Sequence, residues 1–332
     1  MRRFLLLLFL LVAAAAAAAV SYCVLVPFGP SSETFVEIPM RTPTRQIAVL
    51  LKKDGIIRSK LAFEAMHLMK DGTLEAGEYR FDHPAKMAEV YARLQRGDVY
   101  TLSVTIPEGS NLFDIARRLQ SAGLGPQEAF LTAAHANAHL IADLDPQATD
   151  LEGYLFPDTY HFSRHATPTQ IQETMVRRFR QVAAELGLQG DDHDVVTLAS
   201  LVERETPIPA ERPLVASVFM NRMAKGMPLM TDPSVIYAAL LDGRYRGVIY
   251  ASDLEADSPY NTYKHTGLPP GPICSPGVAS LKAAMHPAQT DYLYFVAASA
   301  DSSGRSRFSA TLEEHAHDVA AYRKSLRDAG SQ

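Results

Sequence analysis

The chain has 332 residues, 47% of them hydrophobic and 21% charged, an ordinary composition with length enough for two or more packed units. Its net charge of −5 comes without a basic block, which argues against nucleic acid as a partner and leaves a neutral or cationic polymer as acceptable as a small molecule. With only Cys23 and Cys274, far apart in the chain, neither a disulfide framework nor a cysteine-based metal site is available.

Arg2 and Arg3 precede an apolar run from Phe4 to about Phe28 that carries no charge and is long enough to cross a bilayer. Small residues at 17–19 keep a signal-peptide cleavage site open, but the unbroken continuation through Val20, Val24, Leu25 and Val26 favours a retained anchor. With the two arginines held inside, the remainder is exported. Residues 29–33 are a short flexible exit. An internal echo follows: Val36, Ile38, Pro39, Ile47, Ala48, Leu51 and Gly55 recur, at one constant offset, as Val104, Ile106, Pro107, Ile115, Ala116, Leu119 and Gly123. Each copy reads as a short alternating strand, a proline turn, an amphipathic helix and a glycine stop. Between them, residues 77–81 read as a strand and 84–94 as a helix ending near Gly97. The whole is a small α+β module over 31–103, followed by a second such unit and a connector over 104–148, helical from Pro126.

Residues 151–162 (LEGYLFPDTYHF) are dense in aromatics and broken by Pro157, which suits a strand and turn lining a groove. Tyr160 could stack on a sugar face or simply fill a core, and Asp158 could serve as a carboxylate or cap a turn. Residues 195–206 (VVTLASLVERET) then form a short buried helix, with Val195, Leu198, Ala199 and Val202 at i, i+3, i+4, i+7 spacing and Pro207 as its stop. At about 100° per residue, Glu203 and Glu205 lie roughly 200° apart, so they cannot point into one pocket as an acid/base pair. Glu205 lies over Leu201 and Leu198 at the negative end of the helix dipole, and both influences raise a carboxyl pKa, as a general acid requires. The alternative is a wet flank on which both glutamates pair with Arg204 or Arg212.

Residues 211–225 read as an amphipathic helix, and Asp232-Pro233 starts another with Asp232 as N-cap. The stretch 258–277 is too rich in glycine and proline for a helix or a central strand, and a loop this long is usually functional. It carries Tyr260, Asn261, Thr262 and Tyr263, suited to hydroxyls and amides, and His265, which has no second histidine at ligand spacing. Ser275-Pro276 caps a helix to about Met285, 292–297 is a strand, and 310–326 is a closing helix. No metal or other cofactor is expected.

Taken together, LASLVERET, EGYLFPDTY, TDPSVIY, YNTY with TGLPPGPI, and SPG…SLKAAMHP…YLYFVA resemble the endolytic murein (peptidoglycan) transglycosylase family, over Val36 to about Leu326. The resemblance implies an N-terminal transmembrane helix (1–30), a LysM-like module (31–103) and a mixed α+β catalytic domain (149–332) with its glutamate at a helix end. It implies a lyase that cleaves the MurNAc-GlcNAc β-1,4 bond within nascent glycan strands and leaves a 1,6-anhydro end. By resemblance the acid/base is the second Glu of Glu-x-Glu-Thr, here Glu205, while Glu203 orients the site. Tyr260, Asn261, Thr262, Tyr263, Asp158, Tyr160 and Asp232 are candidates for substrate contact. Where the family carries Gln before the TDP motif, this chain has Met230. The setting implied is the inner membrane of a Gram-negative cell, the N-terminus cytoplasmic and the catalytic domain periplasmic beside the cell-wall synthases. Two alternatives stay open: a muramidase that uses Asp158 or Asp232 as a second carboxylate for hydrolysis, and a membrane-anchored peptidoglycan-binding scaffold.

Overall fold

A computed structural model describes residues 2–70, 72–188, 190, 192–299 and 304–329. The fold is mixed α+β with an apolar N-terminal helix, and it divides into two compact units, Met1–Leu102 and Ser103–Gln332.

The first unit opens with α1 (Arg2–Leu25), which buries none of its side chains and is long and apolar enough to cross a membrane. Strand β1 (Thr34–Ile38), helices α2 (Thr44–Lys53) and α3 (Lys60–Lys70), strand β2 (Gly77–Phe81) and helix α4 (Met87–Arg96) follow. β1 and β2 pair antiparallel from Thr34↔Phe81 to Ile38↔Gly77. Val36 and Ile38 alternate with exposed Glu37, so one sheet face meets Ile47, Leu51, Phe63, Tyr91 and Leu94 from the helices in a single core. α4 begins later than the sequence suggests, because Phe28 and Ala85 bridge, the Phe28 N–H donating to the Ala85 carbonyl at 2.9 Å, which keeps residues 84–86 extended. α3 has no clear helical stripe in the sequence: Ala62, Phe63 and Met66 are buried while Leu61, Leu68 and Met69 are exposed, so apolar residues on two faces blur the period.

The second unit contains β3 (Leu102–Thr105), which starts at the last residue of the first, then α5 (Leu112–Ser121), α6 (Gln127–Ala136), β4 (Thr159–Phe162), α7 (Pro168–Leu186), α8 (His193–Glu205), α9 (Arg212–Ala224), α10 (Asp232–Leu241), α11 (Ala251–Leu254), α12 (Val278–Met285), β5 (Tyr294–Ala297), β6 (Ser306–Ser309) and α13 (Leu312–Ala329). β3 pairs with β4, and β5 with β6. The internal echo is visible in the backbone: β1-α2 and β3-α5 repeat the same strand-helix order, and both stops are left-handed, Gly55 at φ 73° and Gly123 at φ 80°, a conformation glycine adopts without a Cβ penalty. α8 is the inner helix, packed between α9 and α12.

Candidate active site

α8 buries Val196, Leu198, Ala199, Leu201 and Val202. It stops where Pro207 holds Thr206 extended, at φ −137° and ψ 130°, since the proline ring clashes with a helical residue before it. The last turn, Glu203-Arg204-Glu205, therefore marks the edge of the core, and its two glutamates diverge. Glu203 turns inward: its side chain is 4% exposed and accepts from Arg212 at 2.7 Å and from the Gly277 backbone N–H at 2.9 Å. It thereby ties α8 to the first residue of α9 and the N-cap of α12. An arginine partner for a glutamate was one sequence alternative; Arg212 supplies it in the interior, to Glu203 and, at 3.6 Å, to Glu108. Arg204 reaches the Gly109 carbonyl at 3.2 Å.

Glu205 faces a different group. Its carboxyl is pushed up to about 7, first by burial and then by the negative charge of Asp232, with Arg222 and Arg204 acting in the opposite direction. Asp232 is free to play this part because it is not the helix cap that the sequence suggests. Thr231 caps α10, its side chain accepting from the Ser234 N–H, and Asp232 is the first helical residue. The Asp232 carboxylate instead accepts from the Tyr263 hydroxyl at 2.6 Å, and burial followed by that bond raises the phenol's pKa, so it stays a donor. Arg222 comes up from α9, donating to the carbonyls of Leu293 and Leu229, both at 2.7 Å. Burial lowers its pKa, and the backbone holds its guanidinium beside Glu205. Met230, just before the TDP motif, sits at φ 54° and donates its N–H to the Thr262 carbonyl at 3.1 Å. A left-handed residue other than glycine is uncommon.

Other sequence candidates have partners elsewhere. Asp158 accepts from Arg178 Nε and from the Thr159 N–H, both at 2.8 Å, and Arg178 holds its pKa below the usual range. Tyr160 is buried, stacked on Phe162 at 5.6 Å, with its hydroxyl donating to the Phe156 carbonyl; it fills a core. Asn261 is fully buried, and its amide spans its own loop, donating to the Leu254 and Ala256 carbonyls and accepting from the Tyr263 N–H. Thr262, also buried, accepts from the Thr231 N–H at 2.9 Å. These two residues hold Tyr263 and Asp232 in register and are not themselves open to a ligand. Tyr260 borders a separate hollow of about 450 Å³ with Asp145, Glu152 and His193. There His193 and Asp145 pair at 2.8 Å, and burial pushes Glu152 up to about 8. His265 lies 3.4 Å from Asp257 in the exposed loop. Among the described residues, no three His, Cys, Asp or Glu gather to hold a metal. Arg222 is a further member of the cluster: Val215, Val218, Phe219 and Arg222 share one helical face, and a charge on that apolar face is a signal readable from the sequence. Glu152 carries no comparable signal.

The cluster is thus a carboxyl that shares its population between the protonated and ionised forms near neutrality, a neighbouring carboxylate held by a phenol, and a buried guanidinium, an arrangement able to donate and then recover a proton beside developing positive charge. Comparison with known proteins bears on it. A model of the YceG-like family matches residues 36–321. The endolytic murein transglycosylase of Bacillus subtilis (strain 168) is 34% identical over 327 residues, covering 88% of this chain and 86% of its own. The protein of the same name from Streptococcus pneumoniae serotype 2 (strain D39) is 29% identical over 333 residues, with 90% of this chain but 60% of its own covered. A crystal structure of a yceG-like protein from Listeria monocytogenes superposes with a TM-score of 0.56 at 32% identity, over 87% of this chain and 99% of that one.

Proposed function

The chain belongs to the YceG-like family, and from that premise we propose that it is an endolytic murein transglycosylase in which Glu205 is the single acid/base. Peptidoglycan glycan is its substrate. Glu205 protonates the bridging oxygen of a MurNAc-GlcNAc β-1,4 bond, the MurNAc C6 hydroxyl attacks C1, and the Glu205 carboxylate takes the hydroxyl proton. The leaving GlcNAc departs as an alcohol, a 1,6-anhydro ring closes, and the glutamate ends as it began. One carboxyl suffices because the substrate supplies the nucleophile, whereas a hydrolase needs a second group to activate water or attack. Asp232, steadied by Tyr263, stabilises the oxocarbenium-like charge and keeps Glu205 protonated, and Arg222 orients the pair. Glu203 fixes the helix end.

The observation that carries this reading is the raised pKa of Glu205, about 7, with Asp232 as its charged neighbour. The same neighbour favours one alternative, a muramidase with Asp232 as second carboxylate; Asp158, paired with Arg178, is a poorer one. The apolar first helix suggests a single-pass membrane anchor, and Arg2 and Arg3 support a cytoplasmic N-terminus with the rest in the periplasm, beside the cell-wall synthases. The LysM-like character of residues 31–103 belongs to the same proposal. Digestion of purified glycan strands by the full chain in detergent, wild type beside Glu205→Gln, tests it by product mass. Internal fragments without added water from the wild type, and none from the variant, are expected. Water-added fragments would make the enzyme a hydrolase, and no cleavage by either protein would favour the scaffold.

A further inference from the structure

In the first unit the last turns of α1 run beside α3 and leave an apolar groove of about 330 Å³ between them, walled by Val20, Val24 and Leu25 on one side and Ala62, Ala65 and Met69 on the other. The groove continues onto the open face of α3. At about 100° per residue Leu61, Ala65, Leu68 and Met69 fall within an arc of roughly 100° that adjoins the groove wall. Leu61 is 68% exposed, Leu68 81% and Met69 86%, an apolar stripe that water alone does not explain.

The depth of this stripe follows from α1. Counting from Phe4, Val20 to Leu25 lie about 24–32 Å along the helix, where a hydrocarbon core of about 30 Å ends. The exit is also marked by an interfacial belt. The Arg58 guanidinium lies 4.6 Å from the ring centres of both Tyr22 and Phe28 and donates to the Pro27 carbonyl at 3.1 Å, the aromatic and basic pairing found at headgroup level. Lys60 and Lys70 bracket α3, and cations flanking an apolar face suit a surface of lipid phosphates.

We infer that α3 lies in the lipid interface, with Leu61, Leu68 and Met69 among the acyl chains and the α1–α3 groove occupied by a chain of the same bilayer. The inference rests on α1 being a retained membrane helix. It makes the first unit a second, surface-lying attachment in addition to the spanning helix.

The chain contains no tryptophan, so one introduced tryptophan reports without background. Leu68→Trp and, separately, Leu11→Trp are placed in the full chain, reconstituted in vesicles of phosphatidylethanolamine and phosphatidylglycerol whose chains are brominated either near the headgroup or near the methyl end. The expected result is that Trp emission from position 68 is blue-shifted and loses most of its intensity to the shallow bromines, while position 11 responds to the deep ones. Quenching at 11 with water-like, unquenched emission at 68 overturns the inference and leaves the anchor standing. Blue-shifted but unquenched emission at 68 also overturns it, since protein rather than lipid would then cover the stripe. Quenching at neither position removes the anchor and the inference together. Leu61→Trp, measured in the same way, guards against local disturbance at position 68 and should quench alike.

Discussion

Two carboxyls with disfavoured charge, Glu205 and Glu152, should give this protein two separate pH signatures. Glu205 must be protonated to act as an acid, so turnover of glycan should fall as pH rises through about 7. Asp232→Asn removes a charge that raises that pKa, and the falling limb of the pH-rate profile should move to lower pH; a limb that stays put would exclude Asp232 as the tuning charge. Glu205→Gln should cost about 10²–10⁴ in turnover, the range general acid–base catalysis supplies. Glu152 is buried at the α5 start, accepting from the Leu112 N–H at 2.9 Å, and titrates near 8 in the fold against 4.5 outside it. Its folded pKa is raised, so the stability it contributes is complete below about 4.5 and is lost as pH climbs through 8, by up to about 4–5 kcal/mol. Urea denaturation at a series of pH values should show wild type losing stability across that window and Glu152→Gln losing less. At this scale helix spacing and a proline stop made legible that Glu205 ends α8 and that its charge is disfavoured. The sequence hid the role of Asp232, because an Asp before Pro reads equally well as a cap and only the fold gives that place to Thr231.

Elements meet at α8, and the Glu203–Arg212 pair is where three of them are joined. Both side chains are nearly inaccessible, 4% and 5% exposed, so Arg212→Met, which strands a buried carboxylate, should cost about 3–5 kcal/mol. The double variant Glu203→Gln, Arg212→Met should cost less than the two single changes combined, a coupling that denaturant unfolding of all four proteins measures. Gly153 is a second junction. It sits at φ 85°, and a Cβ there would fall 2.5 Å from the Pro272 ring. Gly153→Ala should therefore destabilise by about 1–3 kcal/mol or more, and an unchanged Tm would mean that the two loops part easily. α8, α9, β2 and β5 were readable from apolar period and proline or glycine punctuation. α7, absent from the expected elements, carries its own signals, a capping box from Thr167 to Gln170 and a glycine stop at 187. α3 escaped for the physical reason that apolar residues occupy two of its faces.

For the whole molecule, the apolar first helix should decide where the protein is found. The full chain should stay with membranes through high-salt washing; release of the full chain by salt alone would count against a spanning helix. The α+β class and the echo of β1-α2 in β3-α5 were visible in the order of the sequence, whereas the pairing of the second copy's strand with β4, more than fifty residues onward, was not, because no local pattern records a partner so distant. α8 itself has one more consequence. It is held at its start by His193 on Asp145, in its middle by Ser200 accepting from the Ile273 N–H, and at its end by Glu203. Its amides should be among the slowest in the chain to take up deuterium, opening only when the second unit unfolds as a whole, while α13, with no buried residue, exchanges early. In the proposed mechanism, a carboxyl mounted on so closed a helix has no local hinge, so the glycan would have to be brought to it.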